Sequence, residues 1–194
     1  QAALKAEEQG HEVILIEKAD RLGGMLNVAV HDVSFKEDLG RYLQYLIRMV
    51  ERKAIQVRLN TTATPELIQE IAPDTVVCAV GAEPVIPRIP GVDRDNVVKV
   101  TQLRDPDLKF GEKVVVIGGG LVGCEEGLAL AMEGKDVTVL EMQEKLAPDA
   151  PVLHLKAMML EYEKRTENLH PYTEVTVTSI EDDGVHAKDK DGKE

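Results

Sequence analysis

The sequence contains no tryptophan and only six aromatic rings, four tyrosines and two phenylalanines, in 194 residues. Any core must therefore be aliphatic. Hydrophobic residues at 43% supply one, and a core of Val, Leu, Ile and Ala suits parallel strands buried on both faces. Cysteine is scarce. Cys78 and Cys124 stand far apart with no CxxC, which excludes a disulfide framework or thiolate metal site built from this chain alone. Both are expected to be reduced, buried small residues of a cytoplasmic protein. Positive charge is short as well: 23 Lys and Arg face 35 Asp and Glu, a net charge of -12. Such a surface repels nucleic-acid backbones and anionic lipid, so neither is expected as a partner. No apolar run approaches the roughly 20 residues of a membrane span, and no signal-peptide pattern opens the chain. A nucleotide remains compatible with the negative charge, because backbone N–H groups can hold its phosphates.

A repeat is what the sequence does contain. GHEVILIEKADRL, Gly10 to Leu22, overlays GKDVTVLEMQEKL, Gly134 to Leu146. Gly10 meets Gly134, Val13 meets Val137, Glu17 meets Glu141 and Leu22 meets Leu146. Each copy reads as a helix closed by glycine, a polar turn, an apolar strand and an acid at the strand's end. That order is the second half of a βαβ unit.

The rest of the chain follows the same alternation. Helices are expected over 1–9, 35–53, 65–71, 121–133 and 152–168, on apolar spacing and on Pro65 at a helix start. Strands are expected over 12–17, 55–59, 75–80, 113–117 and 136–141. A hairpin is expected from 175–180 and 185–188 around Asp183-Gly184. The proline-rich GAEPVIPRIPGVD, Gly81 to Asp93, reads as an extended linker.

Gly118-Gly119-Gly120-Leu121-Val122-Gly123 fits GxGxxG. Alone that pattern is weak. Here it follows the apolar strand KVVVI, opens the helix LVGCEEGLALAMEG and precedes an acid, Glu141, at the end of the next strand. This is the context a dinucleotide-binding fingerprint requires. Gly118 permits the tight turn, Gly120 lets a pyrophosphate approach the backbone, and Gly123 lets the helix pack on the strand. The helix N-terminus offers N–H groups and a positive dipole end to the phosphates. Leu121 and Val122 contribute the first of these. Glu141 is expected to accept hydrogen bonds from the adenosine ribose and to repel a 2′-phosphate, so NADH is expected over NADPH. Glu141→Arg is expected to move that preference toward NADPH. Glu125 and Glu126 are expected in the helix's first turn, where the dipole favours acids. His11, His31, His154, His170 and His186 are scattered, with no partner at triad or metal-ligand spacing, and read mostly as surface residues.

The motifs EKADRLGGML, AVGAEPVIPRIPG and GGGLVGCE together carry a resemblance. The chain resembles the two-dinucleotide-binding flavoproteins, and within them the flavin region of the 2-enoate reductase, 2,4-dienoyl-CoA reductase and trimethylamine dehydrogenase family. The resemblance covers nearly the whole chain. Val80 stands where that family's ATG-type motif commonly has Thr. The resemblance implies FAD on the first copy, with Glu17 and Lys18 at the adenosine ribose, Gly23 and Gly24 near the pyrophosphate, and Ala79, Gly81 and Ala82 passing close to the flavin. It implies NADH on the second copy, with Glu125 near the nicotinamide. It implies hydride passage from NADH to FAD, and then electrons through an iron–sulfur cluster to FMN and an unsaturated substrate. No side-chain acid, base or nucleophile and no metal ligand stands out.

The fold class expected is α/β, Rossmann-like, with two dinucleotide-binding folds. The first, 1–93, lacks its first strand and glycine loop. A linker spans 94–112, and 113–194 forms an NAD-binding fold short of its closing strand. These gaps mark the chain as a piece of a longer polypeptide, whose remainder would be its main protein partner. Two other readings stand beside this one. One is an NADH oxidase or reductase of the pyridine-nucleotide disulfide-oxidoreductase type. The other is an NAD-binding module without catalysis.

Overall fold

The computed structural model describes residues 1–30, 34–103, 105, 107–109 and 111–193. His31 and parts of the 94–112 segment lie outside that set. Two compact units divide the chain, Gln1–Glu83 and Pro84–Glu194. Among the described residues no helix is long and apolar enough to cross a membrane.

The first unit runs α1 (Ala2–Glu8), β1 (Val13–Ile16), α2 (Met25–Ala29), α3 (Glu37–Glu51), β2 (Ile55–Arg58) and α4 (Pro65–Ile71). β1 and β2 pair in parallel, with Val13 opposite Ile55. Gly10, at φ +88°, ends the turn after α1, and the chain doubles back with His11 N–H on the Ala6 carbonyl at 3.1 Å. α3 buries Leu43 and Val50, seven residues apart and so on one helical face. α4 has a sequence-legible start: Thr64 Oγ1 accepts from Leu67 N at 3.3 Å, and Pro65 takes the first helical position.

Two expectations fail in this unit. Residues 75–80 form no strand. Val76, Val77 and Val80 are exposed, Val80 by 84%. A strand is held by ladder partners, and this apolar run finds none among the described residues, whose first sheet is β1 and β2 alone. Cys78 lies in it and is exposed, against the expectation of burial.

The second unit runs β3 (Lys113–Ile117), α5 (Leu121–Met132), β4 (Asp136–Leu140), α6 (Val152–Glu163), β5 (Leu169–Tyr172), β6 (Val175–Ile180) and β7 (Val185–Asp189). β3, β4 and β5 form a parallel sheet with β4 in the middle, a βαβαβ arrangement. β6 and β7 make the expected hairpin. α6 ends at Glu163, short of residue 168, and a turn over 164–168 leads into β5. The strand LHPY was missed because it contains Pro171. Proline lacks an N–H and is confined to sheet edges, and β5 is an edge strand.

The two compact units meet at 83/84. The cause is local. Pro90 O accepts from Ile180 N at 2.8 Å, and Arg94 pairs with Asp182, so residues 90–94 are tied to the end of β6. Gly91 must be glycine there: its φ is +87°, and a Cβ would stand 2.0 Å from the Ile180 carbonyl oxygen.

The repeat is also structural, and it runs further than the sequence showed. Glu17 N donates to Arg58 O at 2.9 Å, and Glu141 N donates to Tyr172 O at 2.9 Å. Asn60 N donates to Ala19 O, and Glu174 N donates to Gln143 O, each at 2.9 Å. Asn60 and Glu174 are both left-handed, at φ 50° and 58°. β1 and β2 thus correspond to β4 and β5, and the turn after each pair is bonded alike. β3 has no counterpart among the described residues of the first unit. The chain adopts a mixed α/β, Rossmann-like fold with parallel sheets.

The core of the second unit lies between the sheet and its two helices. Val137 and Val139 of β4 are fully buried, with Cys124, Leu128 and Leu130 of α5 and Leu169 of β5. Burial of each such valine or leucine is worth about 1.5–3 kcal/mol. Tyr162 joins the helices: its hydroxyl donates to the Cys124 carbonyl at 2.8 Å. Burial holds its phenol well above the ordinary tyrosine range. The unfolded chain therefore loses this proton near pH 10 while the folded chain keeps it. Stability contributed by the neutral phenol is present below pH 10 and falls as pH rises beyond it. Tyr162→Phe is expected to cost about 1–2 kcal/mol at neutral pH. It is also expected to flatten the alkaline loss of stability, read by denaturant unfolding from pH 8 to 11. An unchanged alkaline slope would show that the phenol does not drive it.

Candidate functional site

The loop between β3 and α5 is assembled around one peptide. Gly118 has φ +105°, closed to side-chain residues without strain, and its N–H donates to Leu140 O at 2.8 Å. Gly119 comes next and is buried between two exposed glycines. Its N–H donates to Glu141 Oε2 at 2.7 Å. Its carbonyl accepts from Ala147 N at 2.7 Å and from the Cys124 thiol at 3.2 Å. A Cβ on Gly119 would stand 2.6 Å from Leu146 Cδ2 and 2.8 Å from Glu141 Cβ. Sequence reading treated Gly119 as a free position of GxGxxG. The signal that marks it is its place as the middle glycine of the GGG run.

Gly120 is the residue before α5, extended at φ −66° and ψ 179°, with no side-chain cap on the helix. The first N–H groups of a helix have no partner inside it. Here they open where Gly120 stands exposed, and a Cβ on Gly120 would meet nothing within 4 Å. Gly123 is the opposite case. A Cβ there would stand 1.9 Å from the Gly118 carbonyl oxygen, so α5 packs backbone to backbone on the turn. Leu121 is partly buried and Val122 is 55% exposed at the helix start, while Glu125 and Glu126 fall beyond the first turn, which holds no acid, and Glu126 is buried.

Glu141 is 7% exposed. Its Oε2 accepts from Gly119 N and its Oε1 accepts from Gln143 N, both at 2.7 Å. Each carboxylate oxygen has a second lone pair, so the acid can still accept from a ligand hydroxyl. Arginine at this position would leave two N–H groups without an acceptor, which adds a stability cost to the simple exchange of cofactor preference. Cys124 is fully buried, and burial pushes its thiol above the usual range.

The first copy places its residues more loosely. Glu17 Oε1 accepts from Ala19 N at 2.8 Å, matching Glu141 and Gln143. Lys18 is exposed. Gly23 and Gly24 take positive φ, 121° and 49°, and turn the chain into α2, with Leu26 N on Gly23 O at 3.0 Å. Asn27 Nδ2 donates to Leu22 O at 3.0 Å. Ala79, Gly81 and Ala82 lie exposed in the extended run. Among the described residues no hydrogen bond joins them to Glu17, Gly23 or Gly24.

Three histidines have partners that sequence spacing did not show. His154 Nε2 is 2.8 Å from Glu125 Oε1, His170 Nε2 is 3.1 Å from Asp136 Oδ1, and His186 Nε2 is 3.1 Å from Asp183 Oδ1. The first two pairs join residues from different elements, which is why spacing hid them. Glu181, Asp183 and His186 gather at the tip of the β6–β7 hairpin, but the two acids are exposed.

A family profile described as pyridine nucleotide-disulphide oxidoreductase matches residues 1–194. The NADH oxidase of Thermoanaerobacter brockii is 38% identical over 198 residues, covering 100% of this chain and 30% of that protein. The bilirubin reductase of Mediterraneibacter gnavus is 36% identical over 193 residues, covering 100% of this chain and 30% of that protein. Among solved structures, a 2-naphthoyl-CoA reductase in complex with 2-naphthoyl-CoA superimposes with a TM-score of 0.89 at 32% identity, over 98% of this chain and 28% of that one. The chain thus spans about a third of the length of these relatives.

Proposed function

The chain belongs to the pyridine nucleotide-disulphide oxidoreductase family, and from that premise we propose that it is the dinucleotide-binding part of an NADH-dependent flavin oxidoreductase. The observation that carries the reading is the Gly119–Glu141 bond. It locks the glycine loop and the acid into one rigid cradle, with open space at Gly120 and uncapped N–H groups at α5 beside it.

NADH, when bound, supplies a hydride and FAD accepts it. The residues of this chain bind and orient. Gly118, Gly120, Leu121 and Val122 present backbone to the pyrophosphate of NADH, and Gly123 lets α5 come close enough to do so. Glu141 takes the adenosine ribose and disfavours a 2′-phosphate. Glu125 stands toward the nicotinamide half. In the first copy Glu17 and Lys18 take the adenosine end of FAD, Gly23 and Gly24 its pyrophosphate, and Ala79, Gly81 and Ala82 pass beside it. The matching turns after Glu17 and Glu141 support that pairing of roles. With two cysteines in all, one exposed and one buried, this chain does not by itself supply the four thiolates of an iron–sulfur cluster.

Within the family we favour the enoate-reductase type, on EKADRLGGML and GAEPVIPRIPGVD and on the similarity to the 2-naphthoyl-CoA reductase. The similarity to a relative named NADH oxidase favours a second reading, an oxidase of the disulphide-oxidoreductase type. The test of the dinucleotide site is titration with NADH, read by fluorescence anisotropy, with NADPH as competitor. NADH is expected to bind at least about tenfold tighter than NADPH, and Glu141→Gln is expected to narrow that gap to about threefold. Equal affinity for the two in the parent chain would remove Glu141 as the selecting residue.

A further inference from the structure

His154 lies in the first turn of α6, and its Nε2 lies 2.8 Å from Oε1 of Glu125 on α5. The Nε2 atom is shut off from solvent and stands at ion-pair distance from Glu125 without making a directed hydrogen bond; the ring as a whole is partly exposed. The Glu125 side chain is 17% exposed. His170 and His186 pair instead with Asp136, at the start of β4, and with Asp183, at the hairpin tip. His154 is therefore the described histidine that meets a residue of the glycine-loop helix.

The position of the pair points to a role. Glu125 follows Val122 by three residues and so shares its helical face, and Val122 is 55% exposed beside the loop. Glu141 fixes the adenosine end of a dinucleotide at β4, and the loop takes its pyrophosphate. The remaining half is the nicotinamide nucleoside, and Glu125 is the side chain assigned to it above. An unrestrained glutamate spreads over many rotamers, and ordering it at the moment of binding costs entropy. A partner already at ion-pair distance removes part of that cost.

We infer that His154 is a positioning residue for the nicotinamide half of NADH, acting through Glu125. The inference rests on the reading that NADH lies along Gly118–Gly123. His154 touches no ligand atom in this scheme. It holds the Glu125 carboxylate in one orientation from the neighbouring helix.

The test compares two ligands that differ only beyond the pyrophosphate-linked ribose: NADH and ADP-ribose, which lacks the nicotinamide. Both are titrated against the chain, His154→Ala, His154→Gln, Glu125→Ala and the double variant. His154→Ala is expected to weaken NADH about tenfold, in line with loss of one contact to a charged group, and to change ADP-ribose less than about twofold. His154→Gln, which keeps a polar group but no charge, is expected to recover only part of the loss. The double variant is expected to be no weaker than Glu125→Ala alone. Equal weakening of both ligands in His154→Ala would make the residue structural and overturn the inference. So would unchanged NADH binding, or additive losses in the double variant. A parent chain that binds neither ligand would instead overturn the nucleotide-site reading itself, and ADP-ribose binding in each variant reports that the cradle is folded.

Discussion

Gly123→Val should unfold the start of α5 and abolish NADH binding with it. A side chain at position 123 begins 1.9 Å from the Gly118 carbonyl oxygen and 3.4 Å from Val116 Cγ1. The first of these is backbone, so no rotamer change relieves it. The helix must move off β3, and the movement reaches Cys124, which is fully buried and bonded to Gly119 O. Overpacking of this kind costs about 3 kcal/mol or more, a large part of the 5–15 kcal/mol that holds a typical domain. The expected result is a thermal transition lowered by many degrees or lost, followed by circular dichroism, and no saturable NADH binding. A parent-like melt with parent-like binding would mean that α5 does not approach the turn this closely.

Gly120→Val should do the reverse: leave the fold intact and remove the ligand. Position 120 has ordinary extended dihedrals and nothing within 4 Å of a built Cβ. The cost in stability is that of a poorer helix start, within about 1 kcal/mol. The space that the valine fills is the space through which a pyrophosphate would reach the first N–H groups of α5. NADH affinity is expected to fall by about a hundredfold or more, about 2.7 kcal/mol, with the melt nearly unchanged. Retained binding would place the phosphates elsewhere. Two glycines three residues apart in one motif thus separate packing from binding, and the two variants measured together distinguish a nucleotide cradle from a purely structural turn.

Much of this is legible in the sequence. The repeat between Gly10–Leu22 and Gly134–Leu146 gave both parallel strands and both acids, because strand burial and a glycine turn leave a regular apolar and polar trace. The α4 start was legible from Thr64 and Pro65, since capping is local chemistry. The run at 75–80 misled for a matching reason. Its apolar pattern describes what a strand would bury, but pairing depends on a neighbour that periodicity cannot supply. β5 was hidden by Pro171, which reads as a breaker unless the strand is known to lie at an edge.

The sequence by itself determined the class of this protein: an aliphatic α/β chain with a glycine loop, a helix and an acid in dinucleotide order. These are local patterns, set by backbone propensity and by side-chain periodicity within a few residues. Tertiary structure alone decided that Gly119 and Glu141 form one bonded unit, that Tyr162 ties α6 to α5, and that His154 stands against Glu125. Each of these joins residues 22 to 38 apart or on separate helices. The pairing of β3 with β4 brings the glycine turn beside Glu141, and the packing of α5 against α6 sets the other two, so residue spacing alone does not show these bonds.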